Sequence, residues 1–585
     1  MLRLVSATVG PIAIAPGANG VNQTVEAYNA GDGTLSLAVS SSAAWLTASV
    51  GPVAACATTR AAAACTPLIF ALNTASLAAS ATPYTGTVTV TSPGAVDAPQ
   101  TITVTVAIGG AVPSSVDLYV APYNSSTPPS ASVSFSTTNY MTSKVTVNDG
   151  AKSNWLTLTL SGGDCNPFDV KCVSGSAYTY AITVTPQIAH TAGNSYTGSI
   201  VTSGSNFAPD NKTIPVTMHV TSDPIASASA TQISEQLATG APVGYSVVTL
   251  SNAGSGTLAI SGATVSGQGA TASVSGSYVV VAFDPTGLAA GTYTSSLSIV
   301  SNAANSPTVI PVTFNVVAAG APWAYYGGVV DDAVFGQSGM SVAPGDIVAL
   351  FGEQLSFVAS VYQPTPPLAT TLGGTSVTVN GEAVPLYFSS YGQINFQIPT
   401  DIAAGTALVQ VSTAPNPMTP SVVAGNTVSV NVVNRAPRLL LLSDGYGAIE
   451  DASGGYSLPM PATMVYPGFT SKPASRGDVL TIYAIGLGLT NPAVAAGQAA
   501  PDGGSVSGPL AQLTSTPTVV FTSSTSGSVT AHVNATPAYA GLAPYFAGLY
   551  QINVSIPANC PLGTVKVSLT FPDGTTSNSA LIAVQ

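Results

Sequence analysis

Gly392-Gln393-Ile394-Asn395-Phe396-Gln397-Ile398-Pro399 returns near the C-terminus as Tyr550-Gln551-Ile552-Asn553-Val554-Ser555-Ile556-Pro557. In both stretches apolar residues alternate with Gln and Asn, the period of two that marks a strand with one buried face. Each continues to a Gly-Thr pair (Gly405-Thr406, Gly563-Thr564) and a second alternating run, Ala407 to Val411 and Val565 to Leu569. One β-hairpin is used twice. Upstream of each copy Pro344-Gly345-Asp346 and Arg476-Gly477-Asp478 are matching turns, each feeding an apolar strand. The last third of the chain is therefore a tandem duplication. Ile394, Phe396 and Ile398, like Ile552, Val554 and Ile556, are expected to face a core, with Gln and Asn turned outward toward a neighbouring domain or subunit.

The first half repeats at a longer period. Asn29-Ala30-Gly31-Asp32-Gly33-Thr34-Leu35 returns as Asn252-Ala253-Gly254-Ser255-Gly256-Thr257-Leu258, and Tyr84-Thr85-Gly86 returns as Tyr196-Thr197-Gly198 and Tyr293-Thr294-Ser295. Each of the last three leads to a closing strand: Thr101 to Val106, Ile214 to Val220, Val309 to Val316. Three repeats of about one hundred residues, the size of a β-sandwich, precede the duplicated end. Alternation stops and Gly, Ala and Pro collect at 108–113, 221–224, 318–322 and 434–437. The expected fold is all-β, a linear array of about five Ig-like β-sandwich domains at 1–110, 111–222, 223–320, 321–437 and 438–585. Short linkers with Pro predict a semi-rigid row. No segment carries a sustained helical stripe.

Composition bounds the rest. The chain of 585 residues exceeds the ~250–300 at which a single core stops growing. Charged residues make up 6%, against about 25% in ordinary soluble domains. The 57 Gly and 44 Pro, with abundant Ser, Thr and Val, favour strands and turns. A hydrophobic share of 46% and a mean hydropathy of +0.41 argue for buried surface and against disorder. The net charge of −12, with no basic cluster, makes nucleic acid and anionic membranes poor partners. No apolar run approaches the ~18 residues of a membrane span. Gly10, Pro11, Pro16 and Gly17 interrupt any signal-peptide core at the start, so export is expected to use a leader outside this numbering or another route.

Cys56 and Cys65 follow Trp45, and Cys165 and Cys172 follow Trp155 at nearly the same distance. Two local disulfides are expected, which places the protein outside the cytoplasm. A metal site is the competing reading, and the lack of a second ligand pair or a nearby His weighs against it. Cys560 is left over, either a small buried residue or an intermolecular bridge.

Trp45-Leu46-Thr47 and Trp155-Leu156-Thr157, each after a Gly-rich hairpin, resemble BACON-type bacterial immunoglobulin-like domains; the third repeat lacks the Trp. The Gly345-Asp346 strand, Leu372-Gly373-Gly374-Thr375-Ser376-Val377, Gln393-Ile394-Asn395 and the paired Gly-Thr turns are similar to tandem IPT/TIG-type immunoglobulin-like domains. Together, Ala343 to Gln585 resembles a C-terminal domain family of large secreted acidobacterial proteins. That resemblance implies secretion and an Ig-like fold, and brings no enzyme activity. The second copy departs from the first at Thr514 to Ala540, longer and richer in Ser and Thr, expected to be a contact or modification site.

No catalytic group, cofactor or metal is expected. His190, His219 and His532 each stand alone among Ala, Val and Thr, and a base needs partners. Asp331-Asp332 is the best place for calcium, with a solvated turn the favoured reading. Asp346 and Asp478 are expected to anchor turns. Tyr123, Tyr140, Trp323, Tyr325, Tyr326, Tyr387, Tyr391, Tyr545 and Tyr550 invite a sugar-stacking reading, against which core and interface roles are favoured. Asn22, Asn124, Asn211, Asn534 and Asn553 open N-glycosylation triplets. Leu2, Leu4, Val9, Ile12 and Ile14 are read in two ways: as a strand added to a neighbour's sheet edge, or as the first strand of their own domain. The expected function is a non-enzymatic extracellular or bacterial cell-surface structural protein, self-associating head to tail into a homopolymer filament or surface layer and glycosylated. The alternative is an adhesin or carbohydrate-binding protein.

Overall fold

The computed structural model describes residues 2–14, 17–29, 34–57, 64–80, 82–93, 95, 98–109, 112–122, 130–137, 142–147, 155–161, 178–185, 192–203, 208, 211–334, 340–415, 421–453, 455–505, 507–523 and 532–585. It is all-β. The strands of these residues form ten sheets, and strand pairing stays within five groups spanning 2–108, 116–220, 226–317, 323–432 and 438–584. Each group is a sandwich of two sheets over one core. The first three belong to one compact unit and the last two to a second.

Alternation builds these cores. In Gln100–Ile108, Ile102, Val104 and Val106 are fully buried while the Thr residues between them are not. Ile394, Phe396 and Ile398 are buried, as are Ile552, Val554 and Ile556. The polar side chains of that motif bond to each other: Gln393 Nε2 donates to Asn395 Oδ1 at 2.7 Å, and Gln551 Nε2 to Asn553 Oδ1 at 2.9 Å. Asn395 Nδ2 then donates to Asp332 Oδ1 at 2.7 Å. In the first copy, therefore, Gln393 and Asn395 of the outward row serve their own sandwich, while Gln397 reaches the next one.

The opening and closing strands of four sandwiches are parallel neighbours: Thr8–Ile14 beside Gln100–Ile108, Val116–Val120 beside Thr213–Val220, Ile233–Ala238 beside Thr308–Val317, and Ser341–Val342 beside Val423–Val432. In the fifth, a parallel bridge joins Ala474 to Val584. An earlier half of the opening strand often pairs antiparallel with a strand of the opposite sheet. Leu2–Leu4 lies on Gly20–Asn29, Ala226–Ala228 on Gly244–Asn252, Trp323–Asp331 on Ile347–Glu353, and Arg438–Leu439 on Val479–Ile485. The chain thus crosses from one sheet to the other before the sandwich is built. In the fifth sandwich the crossing is expanded to residues 440–473, which hold a small core of Tyr446, Leu458 and Met460. Nothing in the apolar pattern announces this insertion. Part of the Ser/Thr-rich segment, residues 524–531, falls outside the described residues.

Leu2 and Ile14 are fully buried, and Leu4, Val9 and Ile12 pack against the same core. The segment is the opening strand of its own domain, because its apolar row fills the space between that domain's two sheets. Deleting residues 2–14 removes two buried apolar side chains, each worth on the order of 2–5 kcal/mol, and leaves Gln100–Ile108 without its parallel partner. The expected result is loss of the first sandwich's calorimetric transition and rapid proteolysis of residues 17–108. An unchanged melting profile would show the strand to be dispensable.

Candidate functional site

Cys56 and Cys65 are disulfide-bonded, with Cα atoms 4.9 Å apart; Cys165 and Cys172 fall outside the described residues. Cys560 is a fully buried free thiol, pushed up to about 11 by that burial, and Arg476 Nε donates to its carbonyl at 2.7 Å. Asn22, Asn211 and Asn534 are exposed, Asn553 is half-buried, and Asn124 lies outside the described residues, as do His190, Tyr123 and Tyr140.

The second sandwich holds a constellation that sequence spacing does not reveal. His219 Nδ1 meets Ser195 Oγ at 2.9 Å, His219 Nε2 meets Asp117 Oδ1 at 2.9 Å, and Tyr119 stacks on the imidazole with ring centroids 4.7 Å apart. The residue types are those of a hydrolytic triad. The geometry differs: the serine bonds Nδ1 and the carboxylate Nε2, the reverse of the serine-protease arrangement. All three project from neighbouring strands of one sheet, where His219 keeps 29% and Asp117 54% of its side chain exposed. The group clips the opening strand to the closing one, an exposed contact worth at most ~1 kcal/mol. His532 Nδ1 meets Thr522 Oγ1 at 3.2 Å across a hairpin.

In the C-terminal unit, polar groups bridge the two sandwiches. Gln397 is 3% exposed and spans them: its Oε1 accepts from Gly497 N at 2.7 Å and its Nε2 donates to Gly345 O at 3.0 Å. Leu368 N donates to Gly497 O at 2.9 Å, and the Tyr387 hydroxyl donates to Ala547 O. Arg435 lies 4.5 Å over the Phe571 ring and donates to Asp573 Oδ2.

Asp331 is buried, which corrects the expectation of a solvated turn. Its Oδ1 accepts from Ala333 N and Val334 N at 3.2 and 2.8 Å, and its Oδ2 lies 3.9 Å from Arg438 Nε. Among the described residues no group of three or more His, Cys, Asp or Glu converges to hold a metal ion. Asp346 and Asp478 anchor equivalent turns: Asp346 Oδ2 accepts from Ala343 N at 3.3 Å and Asp478 Oδ2 from Ser475 N at 2.7 Å. Asp346 is fully buried with Oδ1 unpartnered. Burial pushes its carboxyl up to about 8, with the backbone bond from Ala343 and nearby Arg438 opposing and Asp331 adding to the rise. Burial also raises Asp332 to about 6.

A cleft between these two sandwiches is lined by Gln397, Thr400, Thr490, Gln498, Leu542 and Tyr550 among others, with no charged side chain. Tyr550 is buried with its hydroxyl donating to Gly488 O. Leu542 and Gly548, both on the cleft wall, bracket a hairpin loop whose tip carries Tyr545 and Phe546, 65% and 50% exposed. Phe546 N donates to Ala543 O at 3.2 Å, with Pro544 second and Tyr545 third in the turn at φ +72°. That is the arrangement of a type II turn, whose third position ordinarily takes Gly. The Tyr545 hydroxyl donates to Asp502 Oδ2 at 2.6 Å; Ser507 Oγ and Gly504 N donate to Asp502 Oδ1. Hydrogen bonds from Ser507, Tyr545 and Gly504 hold the Asp502 carboxyl down, to about 2. Of the other aromatics weighed for sugar stacking, Trp323 and Tyr550 are buried, Tyr325, Tyr387 and Tyr391 partly buried, and Tyr326 exposed.

The Asp346 shift has a definite sign. A carboxyl whose folded value lies above its unfolded one adds stability that is fully present below about pH 4 and is lost as pH rises toward 8. Asp346→Asn, a mimic of the neutral acid, is expected to flatten that part of the melting-temperature profile of the C-terminal unit between pH 4 and 8. An identical slope in both proteins would assign the dependence elsewhere. At Gly486, with φ +69°, a Cβ would stand 2.3 Å from Ala436 O and 3.0 Å from Asp346 Oδ2. Gly486→Ala is therefore expected to destabilise by about 1–3 kcal/mol in denaturant unfolding.

No protein-family model matches the chain, and no curated protein does. The IPT/TIG and BACON resemblances thus rest on the residues quoted for them. Among solved structures, the chain is similar to a Bacteroides ovatus mixed-linkage glucan utilization locus protein, SGBP-B, at 12% identity over 61% of this chain and 67% of that one, with a TM-score of 0.19. It is similar to the human Desmocollin-1 ectodomain at 9% identity over 88% and 87%, TM-score 0.15. An endo-fucoidan hydrolase of glycoside hydrolase family 107 matches at 13% identity and TM-score 0.15, over 55% of this chain and 43% of that one. The chain spans less than half of that hydrolase. Likenesses of this size carry no argument about activity or ligand, and the fold rests on the sheet pairing described above.

Proposed function

We propose that the chain is a non-enzymatic structural protein of the cell exterior, whose β-sandwiches associate through uncharged faces into a filament or surface layer. The observation that carries this reading is an open apolar sheet face in the third sandwich. Tyr245 and Val247 stand outward, 67% and 59% exposed, opposite Ala282 and Val280, and Tyr278, 41% exposed, stands opposite Thr249. Thr271, Ser273 and Ser275 flank them on the neighbouring strand. With 6% charged residues in the chain, such a face gains from being covered by another copy. The Cys56–Cys65 disulfide supports an oxidising compartment. Exposed Asn22, Asn211 and Asn534 stand in glycosylation triplets, and the acidobacterial C-terminal family is the source class that fits this reading.

Electron microscopy tests it: the native protein is expected to form regular fibres or sheets, and Tyr245→Lys with Val247→Glu to disperse them. Monomers persisting at high concentration would overturn the reading. A second reading, a carbohydrate-binding adhesin, is favoured by one observation, the exposed Tyr545-Phe546 pair on a loop whose flanking Leu542 and Gly548 line an uncharged cleft.

A further inference from the structure

The chain contains an internal control for the Tyr545 turn. Ala343-Pro344-Gly345-Asp346 and Tyr466-Pro467-Gly468-Phe469 are closed by the same bond, from fourth N–H to first carbonyl at 3.1 Å in both, with Gly at the third position at φ +77° and +83°. Where only a turn is required, the sequence uses Pro-Gly. In Ala543-Pro544-Tyr545-Phe546 it uses Pro-Tyr and accepts a left-handed tyrosine, a conformation that bulky residues rarely adopt. Strain of this kind concentrates where a side chain is needed in one place.

Comparing the two related hairpins locates the difference. In the first copy, residues 390–392 connect Leu386–Ser389 to Gln393–Gln397; in the second, residues 543–549 connect Tyr539–Leu542 to Tyr550–Ser555. The second connection is longer, and the strained tyrosine lies within it. Tyr545 N donates to Ala500 O and Ala500 N to Phe546 O, both at 2.9 Å, so the backbone at the tip is held from both sides. The Tyr545 ring is fixed at its far end by Asp502. An exposed aromatic held at backbone and hydroxyl presents its face at little entropic cost on binding.

We infer that Tyr545 and Phe546 form a stacking platform for a neutral oligosaccharide, with the adjoining cleft taking the hydroxyls of neighbouring sugar units. This rests on the adhesin reading above. Sugar rings offer an apolar face to an aromatic and hydroxyls to amide, hydroxyl and carboxylate groups. Thr400, Thr490 and the exposed Gln498 supply the first two kinds along the cleft, and Asp502 supplies an acceptor beside the ring. The ionised Asp502 and the chain's charge of −12 select against uronic or sulfated glycans.

Tyr545→Gly separates binding from folding, because Gly relieves the backbone strain while removing the ring. Isothermal titration of the intact chain with gluco-, xylo- and manno-hexaoses, and with a hexagalacturonate as the anionic comparison, is the test. Wild-type protein is expected to bind at least one neutral hexaose and not the hexagalacturonate. Tyr545→Gly is expected to bind about tenfold more weakly or worse, with an unchanged or higher melting temperature. Phe546→Ala is expected to weaken binding in the same direction. Equal affinity of wild type and Tyr545→Gly for a bound hexaose would overturn this site and leave the adhesin reading standing. No binding of any hexaose by the wild type would overturn both, and preference for the hexagalacturonate would overturn the neutral-ligand assignment.

Discussion

Parallel pairing of a sandwich's opening strand with its closing strand is the constraint on which the rest of this protein depends. Residues 15–99 separate Thr8–Ile14 from Gln100–Ile108, and similarly long stretches separate the other parallel pairs. Such long closures make folding slow and each sandwich all-or-none. They also explain why the alternating Val and Thr pattern must be so regular: slippage by one residue would turn every buried Val outward.

The two C-terminal sandwiches add a second kind of order. Their junction is held by backbone carbonyls and amides, with Gln397 spanning it and the Tyr387 hydroxyl reaching Ala547. Few charges take part: Asp346 is buried, and Arg435 stacks on Phe571 and pairs with the exposed Asp573. Because amides do not titrate and burial holds the Tyr387 phenol above its ordinary value, most of this junction is indifferent to pH in the neutral range. Asp346 is a titrating member of it, and its neutral form suits its burial.

Much of the architecture was legible in the sequence because strand alternation and Pro-Gly or Gly-Asp turns are local signals. The duplicated Gln-Ile-Asn motif located both copies, and its Ile, Phe and Val row is the buried one. Contacts formed across the sheets were not legible. Asp117 and Ser195 stand 102 and 24 residues from His219, and no spacing rule joins them. Asp331 does cap a turn, through the amides of Ala333 and Val334, but its burial leaves no trace in the neighbouring residues. Tyr545 carries a readable signal: Pro544-Tyr545 stands where Pro344-Gly345 and Pro467-Gly468 set the habit of the chain.

The divided opening strand has a practical consequence. Because its halves are anchored in opposite sheets, the segment between them varies in length, from residues 5–7 in the first sandwich to 229–232 in the third and the long insertion after Leu439 in the fifth. Lengthening a connection costs only a logarithmic increment of closure entropy. This crossing is therefore a natural port for grafting: an epitope, a tag or a whole small domain inserted between Ala228 and Ile233 would leave both anchoring ladders intact and display its cargo from a sandwich of native construction.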